Sequence, residues 1–406
     1  MTHKPLLSIL VATRNRQPFA FALVKDVLSW ADDRVELVVE DNSENASLAE
    51  QLAPYGGDAR LRYRYNPGAI SSIDNFNNVI AASSGRFVCL IGDDDGMNSK
   101  VIEAVEWAEQ EDIDCLQGSV AHEYIWPASG SQTAGSTGSL TFPAFSGASS
   151  SRTGPIDLTP LLDRGGTQYL ELCLPRLYHG IVRRSLLAGM QLDRGYFLGG
   201  LSPDIYAAVS LSQLARKTVT VDFPMTIPGV CPASTTATEG KARAYSTDIR
   251  DAPHFRSREW YRFRETLPPF YCVDAIWADS GCAALDDLGR PDLCTRLNVF
   301  RLAAYIARHQ PRLKDALLDW LVANGHASSR LAAQAQVLRA YIGPPLAADA
   351  RRVMRKLARL SGKSPMTKLQ GLASITDARL ALEASVRPLR LPWGTSDTPT
   401  VAGAAH

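Results

Sequence analysis

Three consecutive aspartates, Asp93–Asp95, leave the apolar run RFVCLI (86–91) through Gly92. Adjacent carboxylates repel one another, and such a run is held most easily when a cation or hydrogen-bond donors offset it. Oxygen-only ligands suit Mg2+ or Mn2+, which take one or two carboxylates and complete their shell with substrate phosphates. The plainer account is a solvated acidic turn favouring the N-terminus of the next helix. Two companion clusters follow apolar runs: Thr13-Arg14-Asn15-Arg16 after LLSILVA (6–12), and Glu40-Asp41-Asn42-Ser43 at the end of VELVVE (35–40). Asp204 closes the Gly-rich stretch YFLGGLSPD (196–204) and opens an apolar segment. It suits either a general base or the first turn of a helix. His122, His179 and His254 are candidates for a further metal or phosphate contact, although a lone histidine is more often a packing residue. His254 follows CPASTTATEGKARAY (231–245), whose hydroxyl and basic side chains can close over a diphosphate. Arg176, Arg183 and Arg184 flank His179 and read as surface charge, with acceptor or phosphate binding as the alternative. Cys89 reads as packing.

The elements that must position these groups alternate regularly. LLSILVA, VELVVE, LRYRY (61–65), RFVCLI and IDCLQ (113–117) read as strands, separated by helical periodicity over 17–30, 44–53, 72–83 and 99–110. Strands joined by such helices imply βαβ units, a mostly parallel α/β sheet, and ligands outside the carboxyl ends of the strands. The reading continues with a helix over 204–215 and the strand KTVTVDF (217–223). Residues 127–155, rich in Ser, Gly and Thr without periodicity, read as a flexible insertion or a lid beside an active site. From 256 to 345 the pattern is mainly helical, with amphipathic stretches at 297–309 and 313–325. Residues 349–360 (DARRVMRKLARL) read as a basic amphipathic helix, and 386–406 as a disordered tail.

Composition bounds the partners. Of 406 residues, 43 Lys+Arg stand against 42 Asp+Glu, so no global field recruits nucleic acid. The 45% hydrophobic and 21% charged fractions are those of a folded chain. No apolar run is long enough to span a membrane. LLSILVA runs into TRNR without a cleavage site and reads as a strand, not a signal peptide. Seven cysteines without a CxxC pair suggest reduced thiols and a cytoplasmic protein.

The order LSILVATRNR (7–16), VVEDNS (38–43), NPGAISSIDNFNNVIAASSGRFVCLIGDDDG (66–96) and LSPD (201–204) resembles the nucleotide-sugar-binding half of bacterial family-2-type glycosyltransferases with the GT-A fold, over residues 5–235. The resemblance implies a Rossmann-like, mostly parallel sheet flanked by helices over 1–255, and leaves 256–385 as a helical C-terminal module and 386–406 as the tail. It implies that Thr13, Arg14 and Asn15 line the nucleotide, that Asp41 contacts the base, and that Asp93–Asp95 hold the diphosphate through Mn2+ or Mg2+. Two registers of the acidic motif are open: Gly92 stands where the family's first Asp is expected, and Asp93-x-Asp95 is the alternative. The preferred reading makes Asp95 the principal metal ligand and places Asp93 towards the ribose, with Asp94 nearly equivalent and His254 a further metal contact. Asp74 stands where many relatives carry an Arg near the base, and an acidic residue there offers an acceptor to a donor-bearing base such as guanine. A UDP-sugar is the leading donor expectation, with GDP- and dTDP-sugars as the alternatives. Asp204 corresponds to the base that removes the acceptor hydroxyl's proton, which implies transfer with inversion. The acceptor is a glycan, a lipid-linked sugar or a small molecule. The competing function is a non-catalytic nucleotide- or glycan-binding module on the same fold, and a nucleotidyltransferase is a weaker third. The basic helix suggests peripheral contact with the inner face of a membrane. Its alternative is packing on its own domain, while helices 297–325 offer a homodimer interface.

Overall fold

The computed structural model describes residues 4–395, apart from 69, 128–136, 192–193, 233–244, 256–257, 348 and 351–365. Strands β1 (Leu7–Thr13), β2 (Val35–Asp41), β3 (Leu61–Tyr65) and β4 (Phe87–Ile91) alternate with helices α1 (Gln17–Leu28), α2 (Ser47–Leu52) and α3 (Ser72–Ala82). They pair in parallel in the order β3-β2-β1-β4. Successive side chains of a strand face opposite ways. Ile9 and Val11 therefore pack towards α1 and α4 (Val101–Gln110), while Leu10 packs towards α3 on the other face. Both faces are covered, which is why β1 and β2 read as unbroken apolar runs rather than alternating ones.

Beyond β4 the sheet continues through β10 (Gly180–Arg183), β6 (Cys115–Gln117), β11 (Lys217–Val221) and β9 (Ser149–Thr153). β10 and β9 run against their neighbours, so six of the eight strands share one direction. The short β5 (Gly96–Met97) pairs with β12 (Thr226–Ile227). A second sheet has the order β13-β7-β8-β14, from β13 (Gly229–Val230), β7 (Glu123–Ile125), β8 (Ser139–Pro143) and β14 (Met366–Gln370).

Three expectations change. Within 127–155, residues 139–143 and 149–153 are strands, and 128–136 lie outside the described residues. β9 is an edge strand whose five side chains are all exposed, so it carries no apolar alternation to be read. The chain from 256 onward is not a separate helical body. Helices α5 (Pro203–Leu214), α6 (Val273–Asp287), α7 (Val299–His309) and α8 (Lys314–Ala323) share one core with Leu10, Val38 and Leu90 of the sheet. After α9 (Arg330–Tyr341) the chain returns to its own beginning: β14 pairs with β8, and α10 (Ile375–Val386) buries Arg379 against Asp26 of α1. Finally, 386–395 is ordered rather than tail: β15 (Arg390–Leu391) and β16 (Gly394–Thr395) form a hairpin, and Trp393 packs on Trp107 and Phe223. Residues 396–406, and the expected basic helix beyond Ala350, lie outside the described residues. No described helix is long and apolar enough to cross a membrane.

Candidate active site

β1 and β4 are in register, Val11 opposite Ile91, so the residues just past their carboxyl ends stand side by side. Thr13 Oγ1 donates to Asp93 Oδ2 at 2.6 Å. Arg16, at the entrance to α1, turns its guanidinium onto the acidic loop: Nη2 lies 3.0 Å from Asp93 Oδ1, 2.5 Å from Asp94 Oδ2 and 3.3 Å from Cys231 Sγ. Burial opposes its charge, but the two carboxylates outweigh burial and hold it firmly protonated. Asp93 is 2% exposed, and burial pushes its carboxyl up to about 7 against the pull of Arg16 and Thr13, with Asp94 and Asp95 adding to the rise. Asp94 is raised for the same first reason, burial, with the neighbouring Asp95 charge second.

Asp95 is different. Its Oδ2 accepts from Gly92 N–H at 2.6 Å and from Tyr178 O–H at 2.9 Å, and its Oδ1 accepts from Gly229 N–H at 2.7 Å. Gly229 must be glycine, because a Cβ there would meet the Asp94 carbonyl oxygen at 1.8 Å. Asp95 therefore fastens the acidic loop to β13 and to the β10 approach. It does not line the neighbouring cleft, whereas Asp93 and Asp94 do. Asp95, the residue expected to be the principal metal ligand, thus has both carboxylate oxygens engaged by hydrogen bonds within the protein.

The cleft encloses about 690 Å3, and its walls include Arg16, Asp93, Asp94, Ser202, Asp204 and His254. Asp204 enters from α5. Ahead of it, Ser280 Oγ of α6 accepts from Leu201 N–H (2.9 Å) and Ser202 N–H (2.8 Å), and Gly200 adopts φ +65° against Ser280, where a Cβ would sit 2.8 Å from the serine Cβ. Ser202 caps α5 without a side-chain bond, and among the described residues Asp204 has no hydrogen-bonding or ionic partner. Burial alone pushes its carboxyl up to about 6. A carboxylate so placed can take a proton near neutrality.

Other expected residues lie elsewhere. Asp41 is fully buried, its oxygens accepting from Ser43 N–H and Tyr63 O–H at 2.9 Å each, so it braces β2 and β3 rather than facing the cleft. Asp74 is tied to Ser71 at 2.8 Å and to Arg258 at 3.1 Å. Asn15 adopts φ +55° and clasps the first two loops, donating its N–H to Ser43 Oγ and accepting from Glu44 N–H. Arg14 faces Glu44 at 3.7 Å. His122 and His179 meet at Thr226, the one on its carbonyl and the other on its hydroxyl, and burial lowers them to about 4 and about 3. Neither lines the cleft. His254 does, and burial lowers its pKa as well. It is not grouped with the aspartates: no cluster of three or more metal-ligating side chains occurs among the described residues. Asp93 and Asp94 are therefore the protein oxygens available to a cation, whose shell would be completed from outside the protein, a donor set that fits Mg2+ or Mn2+.

Residues 8–129 match the family model "Glycosyl transferase family 2". This segment is a family-2 glycosyltransferase domain. It contains β1 through β7 and the acidic loop, and stops well short of Asp204 and of the 5–235 span suggested by resemblance. No curated protein matches the chain. Among solved structures, the glycosyltransferase domain and its C-terminal continuation are similar to S. aureus TarS 1-349 in complex with UDP-GlcNAc (14% identity, 82% of this chain and 89% of that one, TM-score 0.42). A TarS 1-349 complex with UDP gives 15% identity over 56% of this chain, which spans 61% of that one, at TM-score 0.36. The mannosyltransferase PcManGT from Pyrobaculum calidifontis in complex with GDP-Man and Mn2+ gives 15% identity, 84% and 87% coverage and TM-score 0.36. All three are distant, and the assignment rests on the family match.

Sequence reasoning missed much of the cleft lining. Gln168, Tyr271, Asp274, Trp277, His309 and Gln310 come from 160–310, with no motif to single them out. Asp274 accepts from Thr167 Oγ1 at 2.9 Å and pairs with His309 Nδ1 at 2.7 Å. The only signal was the high amphipathicity of 297–309, which places a polar end beside an apolar face.

Proposed function

We propose that this protein is a metal-dependent, inverting glycosyltransferase that moves a sugar from a nucleotide-sugar donor to a hydroxyl of a saccharide acceptor. The observation that carries the reading is that Asp204, without a partner among the described residues and raised to about 6, faces the same cleft as Asp93 and Asp94. The roles follow from their surroundings. Asp93 and Asp94 hold the diphosphate side, where a bound divalent cation supplies Lewis-acid stabilisation of the leaving group's charge. Thr13 fixes the orientation of Asp93. Asp204 accepts the proton of the incoming hydroxyl. The other cleft carboxylates are engaged, Asp93 and Asp94 by Arg16 and Asp274 by Thr167 and His309, so a single base and a single displacement account for the chemistry. One displacement inverts the anomeric centre. Trp277 and Tyr271, with Gln168 and Gln310, suit a sugar ring, whose CH faces pack on aromatic surface while its hydroxyls bond to amides.

Donor hydrolysis of UDP-GlcNAc and GDP-Man with Mn2+ tests this. Wild type is expected to release nucleoside diphosphate from one of them. Asp204→Asn should keep nucleotide-dependent thermal stabilisation but lose turnover, whereas Asp94→Ala should lose both. Full turnover in Asp204→Asn would overturn the assignment of the base. The configuration of the product, read by NMR at the anomeric proton, decides inversion.

A further inference from the structure

Among the described residues that line the cleft, Arg16 is the one lysine or arginine, and it sits on the carboxylates assigned above to the metal. Arg16 Nη2 is 3.0 Å from Asp93 Oδ1 and 2.5 Å from Asp94 Oδ2. A Mg2+ or Mn2+ bound at about 2.1 Å from those two oxygens would draw on the same lone pairs and meet the charge of this guanidinium. The guanidinium and the divalent cation therefore contend for the pair.

The pairing is also incomplete. Asp93 Oδ1 is buried and, despite the nearby charge, accepts no hydrogen bond; Arg16 Nε is buried and donates none. Buried charges left without their full set of bonds are expensive to keep. A pair that leaves one atom unmatched on each side is therefore suited to being exchanged. Arg16 is 21% exposed at its side chain, lines the cleft and has open space before it. A guanidinium binds phosphate oxygens in a two-pronged fashion, and the diphosphate is the anion this cleft would receive.

We propose that Arg16 and a divalent cation compete for Asp93 and Asp94, and that the arriving diphosphate takes up the displaced guanidinium, so that metal and nucleotide load together. The proposal rests on the metal-dependent reading given above. It makes Arg16 a positioning residue that discourages metal binding before the donor arrives.

Mn2+ titration of the full chain, followed by the EPR signal of free Mn2+, tests it with and without UDP or GDP. Removing the competitor in Arg16→Met should tighten binding of Mn2+ alone on the order of tenfold, a usual size for coupling between sites. The nucleotide should then improve Mn2+ binding less in the variant than in wild type, because wild type alone has a guanidinium to rehouse. A merely structural Arg16 predicts equal or weaker Mn2+ binding in the variant, and either result overturns the exchange while leaving the metal reading intact. Absence of Mn2+ binding by both proteins, with nucleotide present, overturns both. Arg16→Lys, which keeps the charge on a shorter and more mobile group, should fall between the two and provides the readout if Arg16→Met does not fold.

Discussion

Replacing Asp204 with Asn should make the protein more stable and nearly inactive. The carboxyl is raised from 3.8 to about 6 by burial. The folded chain thus holds this proton more tightly than the unfolded chain, so stability falls as pH rises from about 4 and levels off above about 6. At about 1.4 kcal/mol per pH unit, ionised Asp204 weakens the fold by about 3 kcal/mol. A negative charge in the first turn of α5 returns up to about 1 kcal/mol through the helix dipole. The net is about 2 kcal/mol, which Asp204→Asn should recover at pH 7.5 and not near pH 4. Urea denaturation of both proteins across this range measures the gap. Removal of a general base should lower turnover by about 10^2–10^4. A variant less stable than wild type at pH 7.5, or a gap that does not widen with pH, would show that Asp204 is an ordinary helix-start residue and would refute the reasoning.

Three further outcomes are expected. The rate under subsaturating donor should rise with pH through about 6 and then level off, because only ionised Asp204 accepts a proton; a profile flat from pH 5 to 8 contradicts this. Asp95→Ala removes the acceptor of Gly92 N–H, Gly229 N–H and Tyr178 O–H. At about 1–3 kcal/mol for each buried donor left unpaired, it should lower stability in urea by several kcal/mol, with Mn2+ affinity of the folded fraction little changed. Arg379→Met leaves Asp26 buried without its cation and should lose about 3–5 kcal/mol, measured as a fall in the urea midpoint.

What was legible in the sequence followed from periodicity. β1, β2 and β4 are buried on both faces, so their apolar runs announce a parallel sheet and, at its carboxyl edge, the three polar clusters. Two kinds of feature were hidden. Exposed or anchored segments carry no period: β9 has no buried face, and the hairpin at 390–395 is anchored by Leu391 and Trp393 inside a Pro- and Gly-containing stretch. Orientation within a polar cluster is equally silent. Nothing in Asp-Asp-Asp tells which carboxylate turns inward onto Gly229 and which two meet Arg16, because the partner backbone lies 134 residues away. The rest of the cleft lining was missed for the same reason, since Trp277 and Gln310 are ordinary residues until folding brings them into one cleft with Asp204.

The pairing of Asp26 with Arg379 spans 353 positions. During synthesis at about 5–20 residues per second, the aspartate waits roughly 20–70 s before its cation leaves the ribosome. Until then α1 presents a carboxylate on the surface that α10 will later cover, and β8 lacks its outer neighbour β14. A nascent chain of this protein can therefore assemble its central sheet early, but closes its second sheet only after Met366–Gln370 has been made, more than 220 residues after β8.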